Sequence, residues 1–482
     1  MTLAELGSKT SFDHIERHAR ETPDRIAITG PERQVSWARF RADAGRFAQA
    51  LDKLGIEPGQ IAAISHPDRY IHWLLVIACE TIGAVSASFA AGDPADDAAH
   101  LLRLADLVLT DRPVPGCNQH LLTEGWIAGV LAQTGAGQHR RHPATPDAPL
   151  RIARTSGSTG TPKCMVIKRR MQAYWIASMA AYNFNNGPAT RFYAAYPLSV
   201  NPSYYRIEAC LRLGATIIFG HASQDLVTFE ATHCWLLPRD MVALLQGVRG
   251  AWPSARPLHM ILSGGPVSAA LHDQTAALLG TEVRIVYGAN EIGGIGLQDR
   301  DGVGTVLPEI DFKIVDEDGR ALPAGVPGTI AIRSPGLVEG YLNDPETTRA
   351  FFAQGRFLTD DIGVLLADGR FRIIGRRSEI INLGGVKLSP APIEEGLRAD
   401  IAGIRDVAVT ALPNPQGIDE ICVAVVPDAS ADPSALLNSV RAALDPSFGW
   451  VWLLALKQLP LTASGKVQRS AVKEIFAAMR PR

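Results

Sequence analysis

The sequence predicts an α/β fold in two parts, a large N-terminal region and a smaller C-terminal domain. The chain has 482 residues, more than a single hydrophobic core usually organises. Short strand-like runs alternate with helical segments over about the first 300 residues, and the pattern then changes to short strands and turns. Strands that alternate with helices form parallel βαβ units with helices on both faces of the sheet.

Residues 36–54 illustrate the helical part of this pattern. Trp37, Phe40, Phe47 and Leu51 recur at the spacing that places apolar side chains on one face of a helix. Strands are expected where short runs are rich in apolar and β-branched residues. The predicted strands of this region are 62–65, 107–110, 216–219, 260–263 and 284–287.

Composition excludes several classes of protein. Hydrophobic residues make up 46% and charged residues 20%, and the formal net charge is −2, which is typical of a soluble globular protein without a nucleic-acid or anionic-membrane partner. The N-terminus lacks the apolar segment of a signal peptide. Residues 73–91 are apolar but contain Glu80, and we interpret them as a buried helix and strand. Six cysteines without CxxC spacing predict a reduced, cytoplasmic protein.

Two changes in pattern divide the chain. After residue 300, runs such as 311–315 and 328–332 alternate with turns and predict a small β-rich subdomain. A break at Gly375 precedes about a hundred residues with their own strands, 407–411 and 421–426, and a terminal helix. We therefore predict an N-terminal domain of residues 1–375 and a C-terminal domain of residues 376–482.

The segment RTSGSTGTPK at 154–163 is the strongest local signal. Small hydroxyl and glycine residues let the backbone turn tightly so that its N–H groups converge on an anion, and Lys163 adds a positive charge. The pattern differs from a Walker A loop because no Ser or Thr follows the lysine. A phosphate-binding loop is favoured over a flexible linker.

Further motifs follow this loop in a recognisable order. They are SGGP at 263–266, YGANE at 287–291, GYLNDPETT at 340–348, GRFLTDDIG at 355–363, GRRSEIINLGGVKLSPAPIEE at 375–395 and PLTASGKVQR at 460–469. Together they resemble the adenylate-forming superfamily of acyl-CoA synthetases, peptide-synthetase adenylation domains and firefly luciferase. The resemblance implies two layered αβ subdomains plus a small β-barrel, followed by a mobile α+β C-terminal domain.

The resemblance also implies a reaction. A carboxylic acid attacks ATP in the presence of Mg²⁺, pyrophosphate leaves, and the acyl-AMP passes its acyl group to the thiol of CoA or of phosphopantetheine on a separate carrier protein. No motif fixes the acceptor, so transfer to an amine or oxygen, or activation of an unusual oxyanion, stays open. A non-catalytic nucleotide-binding protein is disfavoured because the family's acidic and lysine positions are all filled.

The nucleotide site follows from the same resemblance. The loop would close over the triphosphate, Tyr287 would stack on adenine, and Asp361 would accept hydrogen bonds from both ribose hydroxyls. Arg376 would support the ribose or phosphate. For Asp361 and Arg376 a surface ion pair is the alternative. The expected ATP-binding residues are Thr155, Ser156, Gly157, Ser158, Thr159, Gly160, Lys163, Gly265, Tyr287, Asp361 and Arg376.

Three residues are expected to act on the reacting atoms. Glu291 would help to hold Mg²⁺, for which a hard oxygen ligand is suited; the alternative is a glutamate that caps a turn. Asn290 replaces the usual threonine and can still donate to the α-phosphate. Lys466 would reach the carboxylate and the α-phosphate as a mobile point charge. Without the resemblance it would be one more exposed lysine.

The C-terminal domain is expected to rotate between the two half-reactions. Glu379 matches the family's hinge position, usually Asp or Lys, and few residues need to absorb such a swing. After rotation, the loop of Gly384 and Gly385 would reach the site and open a path for the thiol. The usual lysine after the hinge is Asn382, and the usual glycine after the phosphate loop is Cys164, which we expect to pack as a small side chain.

The acid pocket is placed by counting back from Gly214, which puts Val200 where many acyl-CoA synthetases have a gate. Asn201 then falls near the position where amino-acid-activating domains use an aspartate. A neutral amide cannot balance a substrate ammonium, so an aryl or other small acid is favoured. For Tyr205, packing is an equal alternative. The predicted pocket residues are Val200, Asn201, Tyr205, Gly288 and Ala289.

Overall fold

The computed structural model describes residues 8–90, 93, 95–134, 139–155, 163–181, 186–248, 252, 256–265, 267–280, 282–383, 386–414, 418–461 and 467–479. The helices are α1 (Ser11–Glu21), α2 (Trp37–Lys53), α3 (Arg69–Ile82), α4 (Ala95–Leu102), α5 (Glu124–Leu131), α6 (Arg169–Ser178), α7 (Asn201–Leu213), α8 (Asp225–Thr228), α9 (Pro238–Gly247), α10 (Ala269–Leu279), α11 (Pro345–Phe351), α12 (Pro390–Asp400), α13 (Pro433–Ala443) and α14 (Arg469–Met479).

The strands of the first part are β1 (Ile26–Thr29), β2 (Gln34–Ser36), β3 (Ile61–Ser65), β4 (Val85–Ser88), β5 (Leu107–Thr110), β6 (Gln119–Leu121), β7 (Pro149–Thr155), β8 (Lys163–Lys168), β9 (Arg191–Tyr193), β10 (Thr216–Ile218), β11 (His233–Leu236), β12 (His259–Ser263), β13 (Val283–Ala289), β14 (Gly293–Gln298) and β15 (Val303–Val306). Those that follow are β16 (Asp311–Val315), β17 (Gly328–Arg333), β18 (Phe352–Ala353), β19 (Arg356–Leu365), β20 (Phe371–Arg376), β21 (Ile381–Leu383), β22 (Val386–Leu388), β23 (Ile404–Pro413), β24 (Asp419–Pro427) and β25 (Val451–Ala455).

The chain forms two compact units. Unit 1 comprises Met1–Phe312 and Ile332–Phe357, and unit 2 comprises Lys313–Ala331 and Leu358–Arg482. The mixed α/β architecture, with a large N-terminal part and a smaller C-terminal part, confirms the predicted fold class. The domain boundary predicted between residues 375 and 376 stays a prediction.

Two sheets organise unit 1. One has the order β6-β5-β3-β4-β7-β8, parallel as far as β7, with β8 antiparallel to β7. In the other, β13, β12, β11, β9, β10 and β1 lie side by side as parallel strands. The expected βαβ pattern is therefore confirmed, and the five strands predicted in this region all form. Parallel strands are buried on both faces, which explains their short apolar runs.

Helix α3 shows how the sequence fixes local structure. The Asp68 side chain caps its first turn by accepting from the backbone N–H groups of Tyr70 and Ile71. Gly83 ends the helix in the left-handed conformation, at φ 88°. Apart from its first residue, every side chain of the helix is buried, and β4 follows at once. The stretch 73–91 is thus the buried helix and strand that the sequence predicted.

Unit 2 has its own core. Strands β16, β17, β19 and β20 follow one another across a sheet, and β23, β24 and β25 form a second sheet. Val407, Val409, Val423 and Val425 alternate along β23 and β24 and face a cluster that α12 and α13 cover. The terminal helix α14 packs on the opposite face, where Phe476 is buried. The predicted C-terminal strands and helix are confirmed.

All six cysteines are free. Burial raises the pKa of Cys79 and Cys210 to about 12 and that of Cys164 to about 11, and it raises the pKa of Cys234 further still. These thiols therefore stay protonated near neutral pH. Within the described ranges, no helix combines the length and the apolar character that crossing a bilayer requires.

Candidate active site

The phosphate loop is framed by a hairpin. Strand β7 enters it at Thr155 and β8 leaves it at Lys163, and these two residues are direct partners across the hairpin. Thr155 is buried. The five predicted loop residues Ser156, Gly157, Ser158, Thr159 and Gly160 lie outside the described residues. The frame fixes where the loop begins and ends, so its anchors sit close together.

Lys163 faces an aromatic cluster. Its Nζ atom lies 4.4 Å from the ring centroid of Phe351 and 5.1 Å from that of Tyr341. A cation held over aromatic faces is stabilised by the ring quadrupoles without being neutralised. Tyr341 and Phe351 belong to the GYLNDPETT motif and its following helix. The structure thus brings the phosphate-loop lysine and this motif together, and the charge remains available for phosphate.

Glu291 belongs to the same cluster. The Tyr341 hydroxyl donates a 2.8 Å hydrogen bond to Glu291 Oε1, and the backbone N–H of Val338 donates to the Glu291 carbonyl at 2.9 Å. Burial and the nearby Glu291 charge raise the pKa of Tyr341 well above its usual range, so the phenol stays a donor. The Glu291 side chain is buried, and a buried carboxyl group requires hydrogen-bond donors or a cation beside it.

The donor set fits a nucleotide-borne Mg²⁺. Within the described ranges, no group of three His, Cys, Asp or Glu side chains could hold a metal on its own. Mg²⁺ commonly keeps its waters and binds through one or two carboxylates plus substrate phosphates. A single hard ligand at Glu291, near the cation of Lys163, matches that arrangement.

Three predicted segments share one edge of a sheet. Strands β9, β12 and β13 are parallel, so their carboxyl ends lie on the same side. Gly265 follows β12, Tyr287 lies near the end of β13 and is buried, and the chain after β9 leads to Val200. Ligands of parallel sheets bind at this edge. Gly265, Tyr287 and the acid-pocket residues are therefore gathered within unit 1.

The end of β13 is built for close backbone approach. A Cβ atom at Gly288 would lie 2.4 Å from the carbonyl oxygen of Gly293, so only glycine fits there. Ala289 pairs with the same Gly293 across the turn to β14. The turn itself carries Asn290 and then Glu291. Its tight geometry places both directly after the strand.

Asn201 opens helix α7 and is 2% exposed. Its Nδ2 donates to the Asn290 carbonyl at 3.3 Å, and its Oδ1 accepts a short hydrogen bond from Arg151 Nη2. Tyr205, one turn further on, is buried against Trp175, with ring centroids 5.8 Å apart. The predicted pocket residue Asn201 therefore does adjoin the YGANE segment, while Tyr205 makes packing contacts.

Arg151 is a residue that the sequence analysis missed. It lies in β7, within the run Leu150–Ala153 that leads into the phosphate loop. The sequence did contain one indication of its importance, because a charged residue within an apolar, strand-like run is unusual. Because Arg151 bonds Asn201 directly, it belongs to the surroundings of the predicted acid pocket.

Unit 2 holds the other predicted ATP residues. Asp361 on β19 and Arg376 on β20 are direct cross-strand partners, with Arg376 Nε 3.7 Å from Asp361 Oδ1. The Asp361 backbone N–H is fixed by Thr359 Oγ1 at 3.1 Å. A carboxylate can accept hydrogen bonds from both hydroxyls of a ribose diol. This agrees with the predicted role and equally with an ion pair.

The predicted hinge residue is held within unit 2. Arg469 Nε lies 2.9 Å from Glu379 Oε2, and Arg469 also donates to both carboxylate oxygens of Glu394. Burial opposes the charge of Arg469, but its bonds to Glu394 and then Glu379 outweigh it and raise the pKa of Arg469. The hinge glutamate is thereby tied to the first residue of α14.

Lys466, Gly384 and Gly385 lie outside the described residues. The segment that carries Lys466 is nevertheless closed at its base by a β-bridge between Leu461 and Val467. The backbone N–H of Gln468 also donates to the Pro460 carbonyl at 2.8 Å. The residues on either side of the lysine segment are therefore held together.

Comparisons with known proteins bear on this arrangement. The family model described as AMP-binding enzyme matches residues 15–342, which is more than half of the chain. Indoleacetate–CoA ligase of Aromatoleum aromaticum is 26% identical over 507 residues, covering 96% of this chain and 97% of the relative. Tyrocidine synthase 3 of Brevibacillus parabrevis is 25% identical over 96% of this chain, which spans only 8% of that protein's length.

A solved structure shows the same fold. It is o-succinylbenzoate–CoA synthetase of Bacillus subtilis in complex with its acyl-adenylate intermediate, with a TM-score of 0.83 and 21% identity. The match covers 97% of this chain and 99% of that structure. Taken with the family model and the motif geometry, this shows that the chain belongs to the AMP-binding enzymes of the adenylate-forming superfamily.

Proposed function

We propose that this protein activates an aryl or other small carboxylic acid with Mg-ATP, forms the acyl-AMP with release of pyrophosphate, and passes the acyl group to the thiol of CoA or of a separate carrier protein. The chain is an AMP-forming ligase by family, and ATP and the acid are its substrates. The finer points, which are the class of acid, the acceptor and the residue roles, are the proposal.

The cluster of Lys163, Tyr341 and Glu291 supports the first step most directly. Attack of a carboxylate on ATP joins two anions, so the site must neutralise charge before the atoms can approach. Lys163 supplies a cation at the end of the phosphate loop, and Glu291 supplies one ligand for nucleotide-bound Mg²⁺. Mg²⁺ would offset the negative charge of the phosphates.

The surroundings of Asn201 support an acid without an α-amine. Its carboxamide oxygen accepts from Arg151, so the position carries positive rather than negative charge. A substrate ammonium placed here would meet a like charge instead of a carboxylate. The likeness to a ligase for indoleacetate, an aromatic acid, agrees with an aryl substrate.

Other residues are proposed to act on parts of the nucleotide. Tyr287 would stack on adenine, and Asp361 with Arg376 would hold the ribose. Lys466 would bond the carboxylate and the α-phosphate during adenylation, as a long, mobile point charge allows. Free cysteines throughout the chain agree with a reducing, cytoplasmic setting, which we also propose.

The test is acid-dependent pyrophosphate release with Mg-ATP across aryl, short-chain and long-chain acids, with hydroxylamine added to trap the acyl-adenylate. We expect strong release with one aryl or small acid and capture of its hydroxamate. CoA and a phosphopantetheinylated carrier are then compared as acceptors. Measurable ATP binding without pyrophosphate release for any acid would contradict the proposal.

A further inference from the structure

A deeply buried cation lies beside the predicted acid pocket. Arg151 is 5% exposed, and burial lowers its pKa to about 10. It still carries its charge at neutral pH. Removing a guanidinium from water costs several kcal/mol unless partners compensate it. The partners of Arg151 therefore indicate what the site is built to receive.

Within the described residues, Arg151 donates hydrogen bonds only to neutral groups, and the buried Glu208 carboxylate acts on it through space. Its Nε donates to Gln172 Oε1 at 2.8 Å, its Nη2 donates to Asn201 Oδ1, and its guanidinium carbon lies 4.4 Å from the ring centroid of Tyr204. By contrast, Arg169, which is similarly buried in the same unit, pairs with the Glu80 carboxylate at 2.6 Å. A guanidinium has five N–H donors, and the two neutral acceptors use only part of that capacity.

A small cavity adjoins the guanidinium. Its lining residues are Arg151, Tyr204, the three serines Ser86, Ser88 and Ser199, and the apolar Ile152 and Leu198. Its volume is about 10 Å³, which is room for a single oxygen atom with its hydrogens. Hydroxyl groups and a cation around so small a space favour a polar guest over an apolar one.

Arg151, which lines the cavity, connects it to the predicted acid pocket through its hydrogen bond to Asn201. Asn201 accepts from Arg151 with its oxygen and donates to the Asn290 carbonyl with its nitrogen. Ser199, which lines the cavity, lies next to the predicted pocket residue Val200. A guest in the cavity would thus sit beside the acid pocket, away from the phosphate loop.

We propose that Arg151 and the serines of this cavity form a specificity subsite that binds a hydroxyl group on the acid substrate. The hydroxyl oxygen would accept from Arg151, and its proton would be donated to a serine oxygen. A second carboxylate, with three heavy atoms, exceeds the cavity. The inference rests on the proposed function, because it names a feature of the acid that the same site activates.

The experiment compares matched acids with the full-length protein. Benzoate and phenylacetate are assayed unsubstituted, monohydroxylated at each ring position, and with a second carboxylate. The readout is kcat/KM for pyrophosphate release. We expect one hydroxylated acid to exceed its unsubstituted parent by about a hundredfold or more, because the parent would leave buried donors unpaired.

Variants locate the effect. Arg151→Met keeps the length of the side chain but removes its donors, and we expect the ratio between hydroxylated and parent acid to fall to within about threefold. Ser86→Ala is the milder change and should lower the ratio about tenfold, the loss of one hydrogen bond. Ser65→Ala alters a buried serine of neighbouring β3 that does not line the cavity and should leave the ratio unchanged.

The outcomes separate the two proposals. Pyrophosphate release without preference for any hydroxylated acid would overturn the subsite, and so would a preference for the dicarboxylic acids. Retention of the full ratio in both Arg151→Met and Ser86→Ala would also overturn it. If no acid releases pyrophosphate, the proposed function itself fails.

Discussion

Single residues decide the charge balance at the nucleotide end of unit 1. Lys163 rests on the aromatic faces of Tyr341 and Phe351, whereas Glu291 is fixed by the hydroxyl of Tyr341. One tyrosine therefore serves both groups, with its ring toward the lysine and its oxygen toward the carboxylate. This arrangement keeps opposite charges close without pairing them through these contacts.

Replacing Glu291 by Gln should reduce pyrophosphate release about a hundredfold or more, because a neutral amide is a weak ligand for Mg²⁺. The loss should be partly recovered at raised Mg²⁺ concentration. Tyr341→Phe is the matched control, since it removes the hydrogen bond but keeps the ring and the carboxylate. We expect a smaller loss there, about tenfold. Equal activity of Glu291→Gln and the unaltered protein would argue against a metal-binding role.

At the residue scale the sequence located Lys163, Glu291 and Asn201, because each lies in a short motif of fixed spacing. It did not show Tyr341 and Phe351 beside Lys163, since these contacts join segments almost two hundred residues apart. Arg151 was passed over inside an otherwise apolar run. Its significance depends on hydrogen-bond acceptors that are neutral among the described residues, which spacing alone does not reveal.

Elements of unit 2 are joined by Arg469. From the start of α14 this residue bonds Glu394 on α12 and Glu379 beside β20. A cation shared by two carboxylates can hold three segments in register while remaining charged. The helix that follows the lysine segment is thereby fixed to the predicted hinge.

Arg469→Met should lower the free energy of unfolding of the full chain by about 3–5 kcal/mol, because it leaves Glu394 buried without its partner. Arg398→Met is the control, since it removes an exposed ion pair with Asp406 at 3.0 Å, and it should cost within about 1 kcal/mol. Denaturant titration measures both. Similar small losses in the two variants would mean that the Arg469 cluster contributes no more than a surface pair.

A second buried carboxylate links helices in unit 1. Glu208 on α7 accepts from Ser11 Oγ at 2.7 Å and from Trp73 Nε1 at 3.0 Å, and it is fully buried. Burial, and then the charge of Glu80, raise the pKa of Glu208 above its ordinary value of 4.5. The folded state therefore holds this proton more tightly than the unfolded chain does.

The free energy of unfolding should consequently include a contribution from Glu208 that is complete below about pH 4.5 and declines as pH rises toward the raised pKa. In Glu208→Gln, stability should fall less over this range. Unfolding of both proteins is followed in denaturant at several pH values. Glu57→Gln, at an exposed position, is the control, and its free energy of unfolding should depend on pH as in the unaltered protein. If the free energy of unfolding of Glu208→Gln depends on pH as in the unaltered protein, Glu208 is not the cause of that dependence.

Elements were the part of the fold that the sequence predicted best. Helix α2 and strands β3, β5, β10, β12 and β13 follow from apolar periodicity, because buried faces demand it. The order of strands within a sheet is a different matter. The pairing of β9 with β11 depends on which surfaces pack together in the folded protein, and the local sequence pattern does not predict this.

For the whole molecule, the prediction concerns how the two parts of the chain contribute to one reaction. The acid pocket and phosphate-loop frame belong to unit 1, whereas Asp361, Arg376 and the lysine segment belong to unit 2. If the proposed roles hold, Asp361 and Arg376 contribute to nucleotide binding, and the lysine segment contributes to reactivity. A variant in that segment should then affect chemistry and leave binding intact.

Lys466→Ala should reduce acid-dependent pyrophosphate release by about a hundredfold or more, because it removes a cation from the reacting oxygens. ATP binding, measured by calorimetry, and thermal stability should change little. Lys457→Ala, an exposed lysine nine residues earlier, is the matched control and should retain full activity. Undiminished pyrophosphate release in Lys466→Ala would assign the lysine no part in adenylation.

The division into compact units was only partly accessible to sequence reasoning. A break near residue 375 is visible because the pattern of predicted strands changes there. However, Lys313–Ala331, from the first part of the chain, joins the second unit. This segment joins the second unit because its strands pair with those of unit 2: β17 lies between β16 and β19 in the sheet. A pattern read along the chain does not register it.

The burial of the cysteines has a chemical consequence. An acyl-adenylate is an electrophile that any nearby thiolate can attack, and a protein that makes one is exposed to acylating itself. Cys164 directly follows Lys163 at the end of the phosphate loop, yet with a pKa of about 11 only about one in ten thousand of its thiols is ionised at pH 7. At Cys164, burial therefore disfavours this side reaction, and the acyl group is left for the acceptor.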